Sequence, residues 1–219
     1  MGRNNTPGHF IAIEGPDGVG KTTALQRLAE QLRAETGREV LCIREPGGTE
    51  LSERVRDVLV RHGGGDGIVD LLLFSAARRQ LLLEKVRPAL ERGAIVLSDR
   101  FILSTYAYQG GGMGVPDETI SIISEIATDG TVPDLTLLLH LDEEERKRRM
   151  ADRGNPTVHY EREEFLARVR KRYQELATML PGVRVVSASG TPAEVVQRLM
   201  DNVRDVIRAP RVARGRALC

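Results

Sequence analysis

The chain has 219 residues, a formal net charge of +1 at pH 7 and a hydrophobic share of 41%. These values suit one domain with a full hydrophobic core, because the buried fraction of a chain rises with its length. Positive and negative residues are nearly balanced, and the sequence shows no basic face of the kind that dedicated nucleic-acid-binding proteins carry. We therefore expect no nucleic acid partner. No apolar run in the sequence reaches the roughly 18 residues of a membrane span, and we expect a cytoplasmic protein without a membrane contact.

Five short apolar runs, each bounded by turn residues, predict β-strands. Each run is apolar on both of its alternating faces, which is typical of strands covered on two sides. They lie at 9–15, 38–45, 94–100, 135–142 and 183–190. Helical apolar spacing alternates with them at 21–35, 50–61, 69–91, 117–127, 143–153, 163–180 and 191–207. This order predicts an α/β fold, a parallel five-stranded sheet with helices on both faces.

The chain offers no linker long enough to divide it, so we predict a single domain over residues 1–207. Residues 208–219 contain four arginines, no acidic residue, and only short apolar pieces separated by Pro and Gly. This composition favours a disordered basic tail. A basic contact arm is the alternative interpretation.

The loop after the first strand carries the sequence GPDGVGKTT and fits the pattern G-x-x-x-x-G-K-[ST] between a strand and a helix. Its glycines let successive backbone N–H groups point at phosphate oxygens, and the helix N-terminus adds its positive dipole end. The loop predicts a P-loop NTPase that binds a nucleoside triphosphate. The predicted contacts are Gly15, Pro16, Asp17, Gly18, Val19, Gly20, Lys21, Thr22 and Thr23.

Ligands of such sheets bind in the loops beyond the carboxyl ends of the strands. The third predicted strand ends with Asp99, which can hold Mg²⁺ together with the Thr22 hydroxyl, and with Arg100, which can clamp a phosphate. An ordinary surface ion pair is the alternative for the Asp99 and Arg100 pair. The second predicted strand ends at Arg44 and Glu45, beside a tight turn formed by Pro46 and two glycines.

Half of the eight aromatic residues of the chain fall between positions 74 and 108, namely Phe74, Phe101, Tyr106 and Tyr108. A nucleobase could stack on one of these rings while polar side chains bind its edge. The candidates for the edge are Arg78, Thr105 and Gln109. A core cluster is the alternative for Phe101 and Tyr106.

The predicted helix at 143–153 is rich in arginine. Arg149 and Arg153 lie four residues apart on one helical face and could close over a transferring phosphoryl group. For Arg146 and Lys147 we expect a solvated face balanced by neighbouring glutamates. A phosphate monoester has a second pKa of about 6, so it is largely ionised near neutral pH and can act as the acceptor without a general base. What the site must supply is positive charge that holds two phosphate groups together. The available cations are Lys21, Arg44, Arg100, Arg149 and Arg153.

Taken together, these motifs resemble the thymidylate kinase family. The shared stretches are GPDGVGKTT, REPGGT, FSAARRQ and DRFILSTYAYQGGG, followed by an arginine-bearing lid at about 146–161, in family order from about residue 10 to residue 175. The resemblance implies a nucleoside monophosphate kinase that converts ATP and dTMP to ADP and dTDP. It also implies Mg²⁺ as cofactor and a homodimer as the assembly.

The resemblance implies roles for individual residues. Lys21, Asp17, Arg100, Arg149 and Arg153 would be catalytic, and Thr22 and Asp99 would bind the metal. The acceptor would be held by Arg44, Phe74, Arg78, Arg100, Ser104, Thr105, Tyr108 and Gln109. Phe74 would stack on thymine, and Tyr108 would press against C2′ of the sugar and disfavour a ribose.

The chain departs from the family pattern in the lid. The first loop has no arginine, so the lid must supply the catalytic one, yet Ala151 stands where a third lid arginine often lies. Val158 and His159 replace an Asp-Arg pair that the family often carries before the next helix.

Three alternatives remain open from the sequence. A related kinase could accept another or a modified deoxynucleotide. A deoxynucleoside kinase would need a general base, for which Glu14 is available. A nucleotide-dependent switch is disfavoured because the chain lacks an N-K-x-D motif.

Overall fold

The computed structural model of the protein describes residues 7–151, 163–180 and 182–208. Its centre is one sheet of five strands, and every strand pair in it is parallel. The strands are β1 (His9–Glu14), β2 (Val40–Arg44), β3 (Ile95–Asp99), β4 (Leu135–His140) and β5 (Val183–Ser187). Their spatial order is β2-β3-β1-β4-β5. The predicted parallel five-stranded sheet is confirmed.

Helices connect the strands. They are α1 (Lys21–Thr36), α2 (Glu50–His62), α3 (Gly67–Leu81), α4 (Arg87–Glu91), α5 (Ile102–Thr105), α6 (Asp117–Thr128), α7 (Glu143–Ala151), α8 (Glu163–Met179) and α9 (Pro192–Arg208). A π-helical turn at Leu82–Val86 joins α3 to α4, so the predicted helix at 69–91 is continuous but not regular. Among the described residues, no helix combines the length and apolar content that a bilayer crossing requires.

Two hydrophobic clusters cover the two faces of the sheet. Phe10 and Ala12 of β1 pack with α3, α6 and α8, whereas Ile11 and Ile13 pack with α1 and α9 on the opposite face. This division follows from the alternation of side chains along a strand. The central strand β1 is buried along its whole length, and the edge strands β2 and β5 are not. The expected helices on both faces are confirmed.

Residues 102–112, to which the sequence assigned no element, are helical. The segment comprises α5 and a π-helical stretch from Tyr106 to Gly112. Three consecutive glycines disfavour helix intrinsically, but here they allow α8 to pack closely. A Cβ added at Gly111 or Gly112 would overlap side chains of α8. Tertiary packing therefore overrides local propensity in this segment.

The register of the sheet places the ends of its strands together. Asp99 of β3 aligns with Ile13 of β1 and with Arg44 of β2. The loops after β1, β2 and β3 therefore leave the sheet from one edge, and the side chains predicted to bind phosphate at these strand ends are on that edge. This placement is the general position of ligand sites in open parallel sheets.

Candidate active site

The loop between β1 and α1 needs its glycines for steric reasons. Gly15, Gly18 and Gly20 all have positive φ angles, of 139°, 87° and 88°. A side chain at Gly15 would also lie 2.7 Å from the carbonyl oxygen of Leu139. L-amino acids with side chains rarely adopt such angles, so the sequence folds into this turn only with glycine. The loop ends at Gly20, the residue immediately before α1.

Lys21 crosses beneath this loop. Its Nζ donates hydrogen bonds to the carbonyl oxygens of Gly15 at 2.9 Å and Pro16 at 2.8 Å, and the side chain is buried. Burial and the neighbouring Arg100 charge lower the pKa of Lys21 to about 8, while the Asp17 carboxylate opposes the shift. The lysine is therefore held in place, but the neighbouring carboxylates only partly offset the cost of burying its positive charge.

Thr22 and Asp99 meet at the end of β3, as the sequence predicted. The Thr22 hydroxyl donates to Oδ2 of Asp99 over 2.8 Å. A hydroxyl and a carboxylate are oxygen ligands of the kind that Mg²⁺ prefers, and Mg²⁺ usually takes only one or two protein ligands beside substrate phosphates. The residues present therefore fit a magnesium ion. No group of three or more His, Cys, Asp or Glu side chains suited to a metal occurs in the described part of the chain.

Arg100 is the centre of the polar network. Its Nη2 donates to Oδ1 of Asp17 at 2.6 Å and to the Tyr108 hydroxyl at 3.1 Å, and the guanidinium lies 4.9 Å from the centre of the Tyr108 ring. Its Nη1 donates to the Gly15 carbonyl at 3.2 Å and to Ser104 Oγ at 3.1 Å. One guanidinium thus joins the first loop to the helical segment that follows β3.

The backbone of Arg100 is in an unusual conformation for a residue with a side chain. Its φ is 74°, in the left-handed region. Two hydrogen bonds hold this conformation: the Arg100 N–H donates to the Ile13 carbonyl at 2.9 Å, and Ser98 Oγ donates to the Arg100 carbonyl at 2.6 Å. Non-glycine residues with such angles are uncommon and concentrate at functional sites.

Asp17 is the anionic partner of this network. Burial alone would raise the pKa of Asp17, but the charges of Arg100 and Lys21 outweigh it and hold the pKa well below its usual range. The Tyr108 hydroxyl donates to Oδ2 of Asp17 at 2.8 Å. Asp17 is therefore ionised at neutral pH and is shared between the first loop and the segment after β3.

Two cavities meet at this network. The first, of about 510 Å³, contains Lys21, Thr22, Arg44 and Asp99 in its lining. The second, of about 310 Å³, contains the predicted base-binding residues Phe74, Arg78, Ser104, Thr105, Tyr108 and Gln109 in its lining. Asp17 and Arg100 line both cavities, so the structure brings the two groups of predicted residues together in one crevice.

Arg78 is held rigidly in the second cavity. It is 2% exposed, and its Nε donates to Oε2 of Glu45 over 2.7 Å while its Nη2 donates to the Thr105 hydroxyl at 3.0 Å. The guanidinium also lies 5.0 Å from the centre of the Phe101 ring. Phe101 thus belongs both to the hydrophobic core and to the cavity wall. Burial raises the pKa of Glu45 to about 7, although the Arg78 charge opposes the shift.

Two buried donors of this cavity have no hydrogen-bond partner among the described residues. They are Nη1 of Arg78 and Nε2 of Gln109. A buried donor without a partner costs free energy, and such atoms in a folded protein call for an explanation. Both residues line the same cavity, so we expect acceptor atoms of a ligand bound there to pair with these donors.

The structure adds site residues that the sequence did not single out. Arg56 of α2 lines both cavities and donates to the Pro46 carbonyl at 3.1 Å. Glu45 fixes Arg78, and nothing in its surrounding turn sequence indicated that role. In the sequence Arg56 is one of several arginines on α2, and only the packing of that helix distinguishes it from its exposed neighbour Arg54.

Glu14, the candidate general base, is fully buried and occupied by donors. Its Oε1 accepts from the backbone N–H groups of Phe101 at 2.7 Å and Ser104 at 3.1 Å, and its Oε2 accepts from Ser104 Oγ at 2.6 Å. Burial raises the pKa of Glu14, and the Ser104 hydrogen bond opposes this shift. The carboxylate is a structural anchor for the segment after β3.

The basic helix α7 reaches the first loop. Arg149 pairs with Glu145, and a Cβ placed at Gly20 would lie 3.9 Å from Nη1 of Arg149. Lys147 is 54% exposed, as expected for a solvated face. The same expectation for Arg146 is wrong, because that side chain is 4% exposed. Its guanidinium is buried against the carboxylate of Glu143 on the same helix.

The remaining predicted residues divide into three groups. Val19 packs its side chain into the core beneath the loop, and Thr23 is exposed on α1. Arg44 is paired with Glu53 at 3.0 Å on the wall of the first cavity. Arg153, most of the predicted lid, Val158, His159 and the tail from residue 209 lie outside the described residues.

A parallel sheet with a glycine-rich loop between its first strand and first helix, and a lysine and threonine following that loop, defines a P-loop nucleoside triphosphate-binding protein. The adjoining cavity adds a place for a second substrate. Comparison with known proteins makes the assignment specific. The family model described as thymidylate kinase matches residues 13–199.

Individual relatives agree with the family model. A thymidylate kinase of Bacillus licheniformis is 40% identical over 207 residues, which cover 92% of this chain and 97% of that protein. The crystal structure of a thymidylate kinase from Ehrlichia chaffeensis superposes with a TM-score of 0.75 at 32% identity, covering 90% of this chain and 99% of that one. The chain belongs to the thymidylate kinase family and is a nucleoside monophosphate kinase.

Proposed function

We propose that the protein transfers the γ-phosphoryl group of ATP to dTMP, giving dTDP and ADP, with Mg²⁺ as cofactor. The observation that carries this proposal is the pair of unpartnered buried donors, Arg78 Nη1 and Gln109 Nε2, in a cavity that also holds the Phe74 ring. Thymine offers a carbonyl oxygen to such donors and a flat face to such a ring. Cytosine would present an amino group at the corresponding edge, and two donors would then oppose each other.

On the donor side, the first loop and Lys21 hold the triphosphate. Thr22 and Asp99 are the protein ligands proposed for Mg²⁺, which would neutralise the charge of the phosphates when bound. Arg149, placed by α7 beside Gly20, is proposed to neutralise charge on the transferring group. We assign the same role to Arg153, and with it a lid over residues 146–161.

On the acceptor side, Arg100 is proposed to bind the phosphate of dTMP, assisted by Arg44 and by Arg56 at the junction of the two cavities. Asp17 would then exchange its bond to Arg100 for a contact with the acceptor. Tyr108, which two hydrogen bonds and a stacked guanidinium hold in place, faces the sugar in this arrangement. The cations bring two like-charged phosphoryl groups into line, which is the main requirement of phosphoryl transfer.

A deoxynucleoside kinase is the less favoured interpretation. Its acceptor hydroxyl needs a general base, but both carboxylate oxygens of Glu14 already accept hydrogen bonds inside the core. A kinase for a modified deoxynucleotide would retain most of the site, and a switch protein would turn over ATP without an acceptor. A single set of assays distinguishes dTMP phosphorylation from phosphorylation of the nucleoside and from turnover without an acceptor.

The test is ADP formation from Mg-ATP, measured with dTMP, dUMP, dCMP, UMP and thymidine as acceptors. We expect turnover with dTMP, weaker turnover with dUMP, and at least hundredfold lower kcat/KM for dCMP, because leaving a buried donor unpaired costs about 1–3 kcal/mol. UMP should fall below dUMP because of Tyr108. Equal rates with dCMP and dTMP, or ADP formation that needs no acceptor, would contradict the proposal.

We further propose that the protein acts as a homodimer in the cytoplasm on free nucleotides and not on nucleic acid. The support for a dimer is an apolar surface on three adjoining helices, which we term the α2–α3–α6 face. Its exposed members are Leu51, Val58, Val69, Leu72, Ile122 and Ile126. Exposed apolar side chains on helices that pack side by side are typical of association sites, and a twofold axis would bury them against the same residues of a second copy.

A further inference from the structure

Tyr173 reaches the acceptor side of the site from α8. It is buried, and its hydroxyl lies 3.3 Å from Nη1 of Arg100, 2.8 Å from Oγ of Ser104 and 3.2 Å from Oε2 of Glu14. Its ring makes a T-shaped contact with the Tyr108 ring, with the ring centres 6.4 Å apart. One side chain therefore contacts the proposed phosphate-binding guanidinium, the buried carboxylate and the ring proposed to face the sugar.

The hydrogen bonds around this hydroxyl have a defined direction. The single hydrogen of Ser104 Oγ serves Oε2 of Glu14 over 2.6 Å. Tyr173 therefore donates its own hydrogen towards Ser104 or Glu14, and its oxygen accepts from Arg100. A directed chain of bonds thus runs from the Arg100 guanidinium through Tyr173 to the Glu14 carboxylate. Because the Tyr173 hydroxyl and the Glu14 carboxylate are buried, solvent cannot replace either of them.

The close approach of α8 to the site is built into the sequence. Gly111 and Gly112 allow Arg172 and Phe165 of α8 to lie against the π-helical segment, where any larger residue would overlap them. Tyr173 follows Arg172 directly, so the same approach brings its hydroxyl to Arg100. The Arg100 backbone is held in its left-handed conformation by bonds from the sheet. The guanidinium is held by its bonds to the first loop, Ser104 and Tyr108, and α8 adds one more through Tyr173.

We infer that Tyr173 is a positioning residue for the acceptor phosphate: its hydroxyl, anchored by Glu14, fixes the angle of the Arg100 guanidinium. Tyr173 does not itself contact the substrate in this scheme. The inference rests on the proposed function for what Arg100 binds, but the orientation of Arg100 can be measured without any substrate. A planar guanidinium presents its donors in fixed directions, so a small rotation removes a two-point contact with phosphate.

The first test is kinetic and uses Tyr173→Phe, which keeps the ring and removes only the hydroxyl. We expect kcat/KM for dTMP to fall about tenfold, the size of one hydrogen bond to a charged group. The KM for ATP should stay within about twofold, because the change lies on the acceptor side. Tyr106→Phe is the matched control, since it removes the hydroxyl of a second buried tyrosine of the same core cluster. That control should retain wild-type kcat/KM for dTMP.

A double-mutant cycle separates positioning from general damage. In an Arg100→Met background, Tyr173→Phe should lower kcat/KM for dTMP by less than about twofold, because the group it positions is gone. A further tenfold fall in that background would overturn the inference. A fall caused by Tyr106→Phe as large as that caused by Tyr173→Phe would also overturn it.

A structural comparison decides the same point without reference to the acceptor. Crystal structures of the wild type and Tyr173→Phe, both without nucleotide, should differ in the orientation or order of the Arg100 guanidinium. An unchanged Arg100 in the variant would overturn the inference whatever the substrate. If instead the wild type fails to phosphorylate dTMP, the proposed function fails, and the crystal structures still decide whether Tyr173 positions Arg100.

Discussion

Lys21 should take up a proton when ATP binds, and the extent of this uptake follows from its position. In the ligand-free protein burial lowers its pKa to about 8. Phosphate oxygens beside Nζ would favour the charged amine and raise the pKa again. At pH 8.5 a group of pKa 8 is about three quarters neutral, so ATP binding should take up about 0.7 proton per site. At pH 6.5 the uptake by Lys21 should be close to zero.

The assay is isothermal titration calorimetry of Mg-ATP binding in two buffers of different ionisation enthalpy, at pH 8.5 and at pH 6.5. The difference in apparent enthalpy between buffers gives the protons exchanged. Lys21→Met should abolish the uptake at pH 8.5. Lys85→Met is the matched control, because it removes an exposed lysine that lines the same cavity, and it should leave the uptake unchanged.

Two further measurements must move in opposite directions if this explanation holds. The affinity for ATP should fall about fivefold between pH 8 and pH 9, as Lys21 loses its proton in the free protein. The free energy of unfolding, in contrast, should gain a contribution from Lys21 as pH rises from about 8 towards 10.5, since the unfolded chain binds more protons in that window. Proton uptake that persists in Lys21→Met would refute the reasoning.

Other changes test other parts of the site and the surface. Arg78→Ala should raise the KM for dTMP at least thirtyfold and leave the KM for ATP within about twofold. Arg79→Ala, which changes an exposed neighbour, should alter neither KM. Equal losses for both substrates would refute the role of Arg78 in base recognition. Gly112→Ala should lower the melting temperature by several degrees, because the added methyl group overlaps a ring of α8, while Gly65→Ala, with open space around it, should not. Ile126→Glu, at the most exposed position of the α2–α3–α6 face, should shift the protein from dimer to monomer in analytical ultracentrifugation, and an unchanged mass would argue against that interface.

The strands and most helices could be predicted because their signal is local. Each central strand is apolar on both faces, and the structure buries both faces of β1. The first loop was equally accessible, since glycine is nearly the only residue that tolerates the angles found at Gly15 and Gly20. Arg44, Asp99 and Arg100 could be grouped from the sequence alone, because each follows or ends a predicted strand and parallel strands end at one edge of a sheet.

The features that the sequence did not reveal depend on contacts formed only on folding. Tyr173 and Glu14 are far apart in the chain, and their meeting requires α8 to pack against the segment after β3. Arg146 lies on a helix rich in charged residues, and no apolar or charge pattern in the sequence distinguishes it from its exposed neighbours. Its burial against Glu143 could therefore not be predicted. The helix at 102–112 was missed for a similar reason, because its glycines weaken helix propensity and only packing against α8 compensates for them.

The burial of each ion pair indicates which arginines exchange partners during the reaction and which stay fixed. The Arg44 and Glu53 side chains are 55% and 43% exposed, so their pair contributes little and a phosphate can displace the carboxylate at small cost. The Arg78 and Glu45 side chains are 2% and 5% exposed, and breaking that pair would leave a buried charge without a partner. Glu45 occupies Nε of Arg78 and Thr105 occupies Nη2, so the nitrogen left to offer a ligand is the unpartnered Nη1. In the proposed arrangement, the exchangeable Arg44 pair would face the phosphates, where substrate charge replaces protein charge. The fixed Arg78 pair would face the base, where a rigid donor discriminates between substrates.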